Sequence, residues 1–231
     1  MKTYDFPGRD FVARTTARML LEIGAVHFSR EQPFLFTSGL ASPVYIDCRK
    51  VIAYPRVREA MMNFAGAMLQ QEVGFEQFDA VAGGETAGIP FAAWLAADLA
   101  LPMHYVRKRP KGYARDAQIE GDLRHGQRVL LVEDLTTDGG SKIKFCNALR
   151  RAGAEVNHTV MVFFYDIFPE TRRSLAEHNL TLHALATWRD VLAVARETDA
   201  FDTATLREIE TFLNAPLEWS GNHGGATALV L

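Results

Sequence analysis

Apolar residues recur at changing intervals along the chain, and each interval predicts a different element of secondary structure. Helical spacing over residues 10–23 predicts a first helix. Short apolar runs between polar turns then predict a hairpin-like stretch over residues 34–46. A second helix is expected from Pro55 to about residue 71, because proline is favoured in the first turn of a helix.

From residue 80 onward, short apolar runs alternate with helical patterns. The runs predict strands at 80–82, 103–106, 129–132, 159–164 and 180–184, and amphipathic helices are expected near 189–198 and 203–213. Such alternation is typical of parallel strands joined by right-handed helical crossovers. We therefore predict an α/β fold with a central, mostly parallel sheet flanked by helices. Ligands in such folds bind at the carboxyl ends of the strands.

This order of elements divides the chain into four parts. We expect an N-terminal helix and a small hood in residues 1–60, and an α/β core in residues 61–190 that contains a flexible loop at 107–126. Residues 191–214 are expected to form C-terminal helices, which can add to the hood. Residues 215–231, called the tail below, show no periodicity and predict a mobile segment.

Composition and charge restrict the class of protein. With 231 residues, 48% of them hydrophobic, the chain can bury a large core. A net charge of −3 argues against a protein that coats nucleic acid, so no nucleic-acid partner is expected. Cys48 and Cys146 lie far apart in the sequence, with no metal-ligand spacing, as is typical of a reduced cytosolic protein. No secretory signal is visible, and no apolar run approaches the roughly 20 residues of a membrane span. We therefore expect a cytoplasmic protein with no membrane partner.

The strongest chemical signal lies in residues 129–142. A four-residue apolar run ends at two adjacent acids, Glu133 and Asp134, and is followed by a hydroxyl- and glycine-rich stretch, the phosphate turn (residues 136–141). A helical pattern comes next. Backbone N–H groups of such a turn and the positive end of a helix bind phosphate, while carboxylates accept hydrogen bonds from ribose hydroxyls. For this segment alone, the alternative is a polar strand end with solvated acids.

A second signal is the basic loop (residues 107–126), in which five cations occupy the nine positions from Arg107 to Arg115. A connection this long and polar is either a functional lid or a solvated surface loop. The phosphate turn favours the lid. A phosphate-binding turn and a mobile cationic loop together suit a sugar that carries a diphosphate, because the cations can neutralise a departing pyrophosphate.

Two further segments complete the pattern. The glycine loop (residues 82–90) leaves a strand and opens a helix, and its glycines permit close approach of an anion to the backbone. The hood segment (residues 36–49) contains the motif S-G-x-x-S-P-x-Y-x-D and includes Tyr45, whose ring can pack on a flat base. Taken singly, the first is a common turn and the second an ordinary hairpin.

Together, these four segments resemble the type I phosphoribosyltransferases, and the hood segment resembles that of the orotate phosphoribosyltransferases. The resemblance implies the type I phosphoribosyltransferase fold. It also implies transfer of ribose 5-phosphate from 5-phosphoribosyl 1-pyrophosphate (PRPP) to orotate, which gives orotidine 5′-phosphate and pyrophosphate in de novo pyrimidine (UMP) biosynthesis. The alternatives are a type I enzyme for a purine or another pyrimidine, or a non-catalytic regulator that senses PRPP.

The resemblance also implies roles for individual residues. The implied catalytic residues are Lys111, Glu133 and Asp134. The implied PRPP-binding residues are Thr86, Ala87, Gly88, Arg107, Lys108, Lys111, Tyr113, Glu133, Asp134, Leu135, Thr136, Thr137, Asp138, Gly139, Gly140 and Ser141. The implied orotate-binding residues are Ser38, Gly39, Tyr45, Ile46, Arg49 and Thr137. Mg²⁺ is the implied cofactor, held mainly by PRPP with no protein ligand, and the implied assembly is a homodimer whose basic loop completes the partner's site.

Four positions depart from the family pattern. Tyr113 stands at the position of a usual histidine, which removes proton transfer near pH 7. Ala87 stands where some members of the family have a lysine. Asp166 stands where some relatives have an arginine that binds orotate, and we expect Arg49 to supply that positive charge instead. Asp138 places a carboxylate in the phosphate turn, and we expect its side chain to point outward while its N–H points inward.

Overall fold

The computed structural model describes residues 6–110 and 118–228. The α-helices are α1 (Arg9–Glu22), α2 (Pro55–Glu72), α3 (Gly88–Leu99), α4 (Gly140–Arg151), α5 (Pro169–Glu177), α6 (Trp188–Glu197), α7 (Thr203–Asn214) and α8 (Pro216–Asn222). The strands are β1 (Val26–Phe28), β2 (Phe34–Leu35), β3 (Ala41–Ser42), β4 (Val44–Ile46), β5 (Ala80–Gly84), β6 (Met103–Val106), β7 (Ile119–Glu120), β8 (Arg128–Thr136), β9 (Glu155–Phe164) and β10 (Thr181–Thr187). A 3₁₀-helix spans Cys48–Ala53.

Within the described residues, six strands form the central sheet in the order β10–β9–β8–β5–β6–β7. Neighbouring strands are parallel except β6 and β7, which pair antiparallel. Alternate side chains of β8 enter different cores: Val132 packs in the cluster that contains Phe91 of α3, and Leu131 in the cluster that contains Phe145 of α4. Helices therefore cover both faces of a mostly parallel sheet, as the sequence predicts.

The predicted strand at 129–132 is too short. β8 continues to Thr136, and Glu133 pairs with Met161 of β9. Both acids therefore lie inside a strand rather than beyond its end. Because successive side chains of a strand point to opposite faces, Glu133 and Asp134 cannot point the same way.

The basic loop is not irregular throughout. β7 lies within it and pairs with β6, placing Glu120 opposite Tyr105 and Ile119 opposite Val106. Residues 111–117 lie outside the described residues. The prediction of a loop over the whole of 107–126 is therefore wrong at Ile119–Glu120, where a two-residue strand is too short to give an apolar period.

The hood segment contributes β3 and β4, which pair antiparallel with β2 and β1. A hairpin is present, but its arms differ from the predicted ones: Phe34 pairs with Ser42 and Leu35 with Ala41, while residues 44–46 pair with β1. The Ile46 N–H donates to the Tyr165 hydroxyl across 3.3 Å and connects β4 to the carboxyl end of β9. This contact holds the hood segment beside the edge of the sheet where ligands bind in α/β folds.

The tail is partly helical, contrary to the sequence prediction. α8 lies within it, and Trp219 and Ser220 are buried. The Ala41 N–H donates to Ser220 Oγ across 3.0 Å, and the Ala226 N–H donates to the Gly39 carbonyl across 2.8 Å. A prediction of mobility is therefore wrong for Pro216–Asn222, because a seven-residue helix is too short to show a period and is held by contacts with the hood segment.

These contacts predict that Ser220→Ala lowers the free energy of unfolding by about 1–3 kcal/mol, because the buried Ala41 N–H loses its acceptor. Urea denaturation followed by far-UV circular dichroism measures the change. Ser174→Ala, in α5, is the control, because the Ser174 hydroxyl has no hydrogen-bond partner in the described part of the chain. A loss for Ser220→Ala no larger than that of the control would contradict the proposed contact.

Candidate active site

Three of the predicted segments meet at the carboxyl ends of β5, β6 and β8. Parallel pairing places Gly83 of β5 opposite Val132 of β8, so the glycine loop and the phosphate turn leave the sheet side by side. On the other side of β5, the Lys108 N–H donates to Glu85 Oε2 across 2.7 Å. Glu85, which the sequence analysis did not select, thus connects the glycine loop to the first residues of the basic loop.

The two acids of β8 occupy different surroundings. Asp134 and Val132 point to the same face of the sheet. Burial raises the pKa of the Cys48 thiol well above its ordinary value, and the negative charge of Asp134 adds to that rise. Within the described residues, the Asp134 carboxylate has no hydrogen-bonded or ion-paired partner. Although the residue is only 8% exposed, its unpaired carboxylate can accept hydrogen bonds from the hydroxyl groups of a ligand, whereas Glu133 lies on the opposite face.

Glu133 is engaged in a buried ion pair with Lys142 of α4. The Lys142 Nζ and Glu133 Oε2 atoms are 2.8 Å apart, and each side chain is only 7% exposed. Burial raises the pKa of Glu133, and the charge of Lys142 opposes that rise. The structure therefore does not bring both carboxylates to the same side of the sheet, where they could bind one ribose together. The sequence analysis did not select Lys142. A lysine in the first turn of a helix opposes the helix dipole, and this unfavourable position was a signal that could have drawn attention to it.

The phosphate turn is held by its own side chains. Gly139 has a φ of 80°, and its N–H donates to Thr136 Oγ1 across 3.0 Å. The Gly140 N–H donates to Asp138 Oδ1 across 2.9 Å. The prediction that the Asp138 side chain points outward is wrong, because its carboxylate folds back onto the N–H at the start of α4. This is the polarity expected of an anion at a helix N-terminus.

The glycine loop approaches Glu133 closely. A Cβ atom on either Gly84 or Gly88 would collide with Glu133 Oε1, so only glycine fits at both positions. Thr86 is exposed and Ala87 is largely buried. The loop therefore presents the Thr86 side chain and backbone groups, which can contact an anion.

Part of the basic loop is described. Arg107 forms an ion pair with Glu120, with 3.3 Å between Nη1 and Oε1, and its N–H donates to the Gln118 carbonyl across 2.8 Å. Lys108 is exposed. Arg107 is therefore occupied at the base of the loop, while Lys108 is available to a ligand. Lys111 and Tyr113 lie outside the described residues.

The hood residues divide between surface and core. Ser38, Gly39 and Arg49 are exposed, as is Tyr45 at 38%. Ile46 is fully buried, and the structure does not bring its side chain to the site. Tyr45 and Ile46 are successive residues of β4, so one strand face cannot present both.

Residues 6–110 and 118–228 contain no group of three His, Cys, Asp or Glu side chains suited to a metal ion. In the same residues, no helix combines the length and the apolar character that crossing a bilayer requires.

Comparison with known proteins identifies the family. The phosphoribosyl transferase domain family matches residues 54–179. An orotate phosphoribosyltransferase of Rhizobium meliloti (strain 1021) is 58% identical over 226 residues, covering 98% of this chain and 97% of the relative. One from Cereibacter sphaeroides is 62% identical over 214 residues, covering 93% of this chain and 92% of the relative. The chain belongs to the orotate phosphoribosyltransferase family.

A solved member of the family has the same fold. The crystal structure of orotate phosphoribosyltransferase from Aeropyrum pernix matches with a TM-score of 0.66 and 29% identity, covering 80% of this chain and 99% of that chain. The predicted type I phosphoribosyltransferase fold is thereby confirmed, as is the family resemblance of the sequence.

The position of Asp138 gives a testable prediction about PRPP binding. Asp138→Asn keeps an acceptor for the Gly140 N–H but removes a negative charge beside the proposed phosphate position. We expect PRPP to bind about tenfold more tightly, a change of about 1.4 kcal/mol, as measured by titration calorimetry.

Glu177→Gln, an exposed acid at the end of α5, is the control for the loss of one charge, because it precedes β10 and so lies towards the opposite edge of the sheet. Asp138→Ala should also tighten binding, because it frees the Gly140 N–H for the ligand. Weaker PRPP binding by both Asp138 variants would contradict the prediction and would show that the carboxylate pre-orders the turn instead.

Proposed function

We propose that the protein transfers ribose 5-phosphate from PRPP to N1 of orotate, which gives orotidine 5′-phosphate and pyrophosphate in de novo UMP biosynthesis. The observation that carries this proposal is the arrangement of the glycine loop and the phosphate turn on neighbouring parallel strands, with the hood segment joined to the same edge of the sheet. Membership of the orotate phosphoribosyltransferase family supports the choice of base.

The phosphate turn and Asp134 are proposed to hold the sugar. Thr137 and Ser141, at the positive end of α4, bind the 5-phosphate through their hydroxyl and backbone N–H groups. The Gly139 and Gly140 N–H groups join them by exchanging Thr136 Oγ1 and Asp138 Oδ1 for phosphate oxygens. Asp134 accepts hydrogen bonds from ribose hydroxyls, since its carboxylate has no partner within the described residues. Its negative charge also stabilises the oxocarbenium-like transition state, in which positive charge develops on the sugar.

The glycine loop and the basic loop are proposed to receive the leaving group. Thr86, Ala87 and Gly88 contact pyrophosphate, chiefly through backbone groups. Lys108 and Lys111 neutralise its charge as the bond breaks, with Arg107 and Tyr113 as further contacts. Orotate is proposed to react as its N1 anion, whose proton has passed to solvent, so no side chain is assigned as a general base.

The hood segment and Thr137 are proposed to bind orotate. Tyr45 offers an exposed ring for a flat pyrimidine, and Ser38 and Gly39 offer polar groups to its edge. Arg49, also exposed, supplies a cation for the orotate carboxylate. Ile46 supports the segment from the core rather than touching the base.

Mg²⁺ is proposed to act as the cofactor. The ion is held mainly by the oxygens of PRPP, as the family resemblance implies. When bound, the ion reduces the charge of the pyrophosphate leaving group.

The proposed activity is tested by incubating the protein with PRPP and Mg²⁺ and one base at a time: orotate, uracil, adenine or hypoxanthine. We expect the absorbance of orotate to change with stoichiometric release of pyrophosphate, and no transfer to the other bases at comparable concentration. Transfer to a purine in preference to orotate would support the alternative enzyme. PRPP binding without transfer to any base would support a PRPP sensor.

The proposal includes a cytoplasmic homodimer in which the basic loop of one subunit completes the site of the other. A mixture of Lys111→Ala and Asp134→Asn subunits, unfolded together and refolded at equal concentration, then regains about a quarter of wild-type activity. Half of the dimers are hybrids, and each hybrid has one intact site. Each variant refolded alone is the control, and a mixture no more active than the controls would exclude a shared site.

A further inference from the structure

Lys142 occupies a position that its surroundings do not favour. It lies in the first turn of α4, where a positive charge opposes the helix dipole, and its side chain is 7% exposed. Burial of an ion pair costs desolvation energy that mutual attraction barely repays. Helix stability alone therefore gives no reason for a lysine at this position.

The partners of Lys142 connect two loops of the site. Its Nζ donates to Glu133 Oε2 across 2.8 Å and to Ser141 Oγ across 3.2 Å. Ser141 is the last residue of the phosphate turn. The other Glu133 oxygen, Oε1, occupies the space that Cβ atoms on Gly84 and Gly88 would fill. A single chain of contacts thus runs from the phosphate turn through Lys142 and Glu133 to the glycine loop.

We propose that Lys142 is a positioning residue, which holds the Glu133 carboxylate against the glycine loop and so fixes the spacing between that loop and the phosphate turn. The inference rests on the proposed function, in which these two loops bind opposite ends of PRPP. Lys142 acts through Glu133 rather than on the ligand, because its side chain is buried and its ammonium group is engaged by Glu133 and Ser141.

This role has a physical consequence for catalysis. The 5-phosphate and the pyrophosphate are fixed points on one substrate molecule, so the two loops must be separated by a constant distance to hold both. A shift of about 1 Å in such a positioning element can cost about a hundredfold in rate. Loss of Lys142 also leaves a buried carboxylate without its counter-ion, which pushes Glu133 away from its present position.

The test compares Lys142→Met with Lys144→Met, which removes the same charge from an exposed position of the same helix. For Lys142→Met we expect the Kd for PRPP, measured by calorimetry without a base, to rise about tenfold and kcat to fall about tenfold. The KM for orotate should stay within about twofold of wild type, since the hood segment is not part of this chain of contacts. Lys144→Met should match wild type in all three.

Substitution of Glu133 shows whether Lys142 acts through it. In a Glu133→Gln background, Lys142→Met should change the Kd for PRPP by less than about twofold, because the partner is already lost. The double variant also contains no unpaired buried charge, so it should fold even if Lys142→Met alone does not.

Two results would overturn the inference. The first is an unchanged Kd for PRPP in a folded Lys142→Met protein. The second is an equal effect of Lys142→Met with and without Glu133, which would make Lys142 a direct ligand contact. The calorimetric readout requires no acceptor base, so failure of transfer to orotate would reject the proposed function without deciding the role of Lys142.

Discussion

The parallel pairing of β5 with β8 determines where the other parts of the site can lie. Gly83 pairs with Val132, so the glycine loop and the phosphate turn leave the sheet from neighbouring strands. The glycine loop packs so closely on Glu133 of β8 that Gly84 and Gly88 can carry no side chain. The Glu133 carboxylate occupies the space that such side chains would fill, and a charge enclosed in this way requires the counter-ion that α4 supplies.

The sequence predicted most of the fold because the burial of a side chain is periodic. α2 begins at Pro55, as expected, and β6 has the predicted bounds of Met103–Val106. Gly153, with a φ of 99°, lies one residue beyond the C-cap Ala152 of α4, at the position where a glycine commonly ends a helix. These features depend on neighbours within one or two turns, which the local sequence contains.

Other features depend on contacts between residues far apart in the chain. Others depend on the alternating direction of side chains along a strand, which a sequence motif does not show. Nothing near Lys142 identifies Glu133 as its partner, and the helix in the tail was missed because hood contacts stabilise it. Adjacent motif residues, such as Tyr45 and Ile46, were assigned to one ligand although a strand directs them to opposite sides. The motifs indicated the edge of the sheet at which these loops meet, but they did not give the direction of each side chain.

The contact between Ala41 and Ser220 joins residues 179 positions apart. Ala41 is synthesised long before Ser220, so the Ala41 N–H of β3 lacks its acceptor, Ser220 Oγ, while the central sheet is being synthesised. Contacts of such long sequence separation form slowly, because much chain must be ordered before they are gained. The central sheet can therefore assemble before the hood gains the contact that supports it.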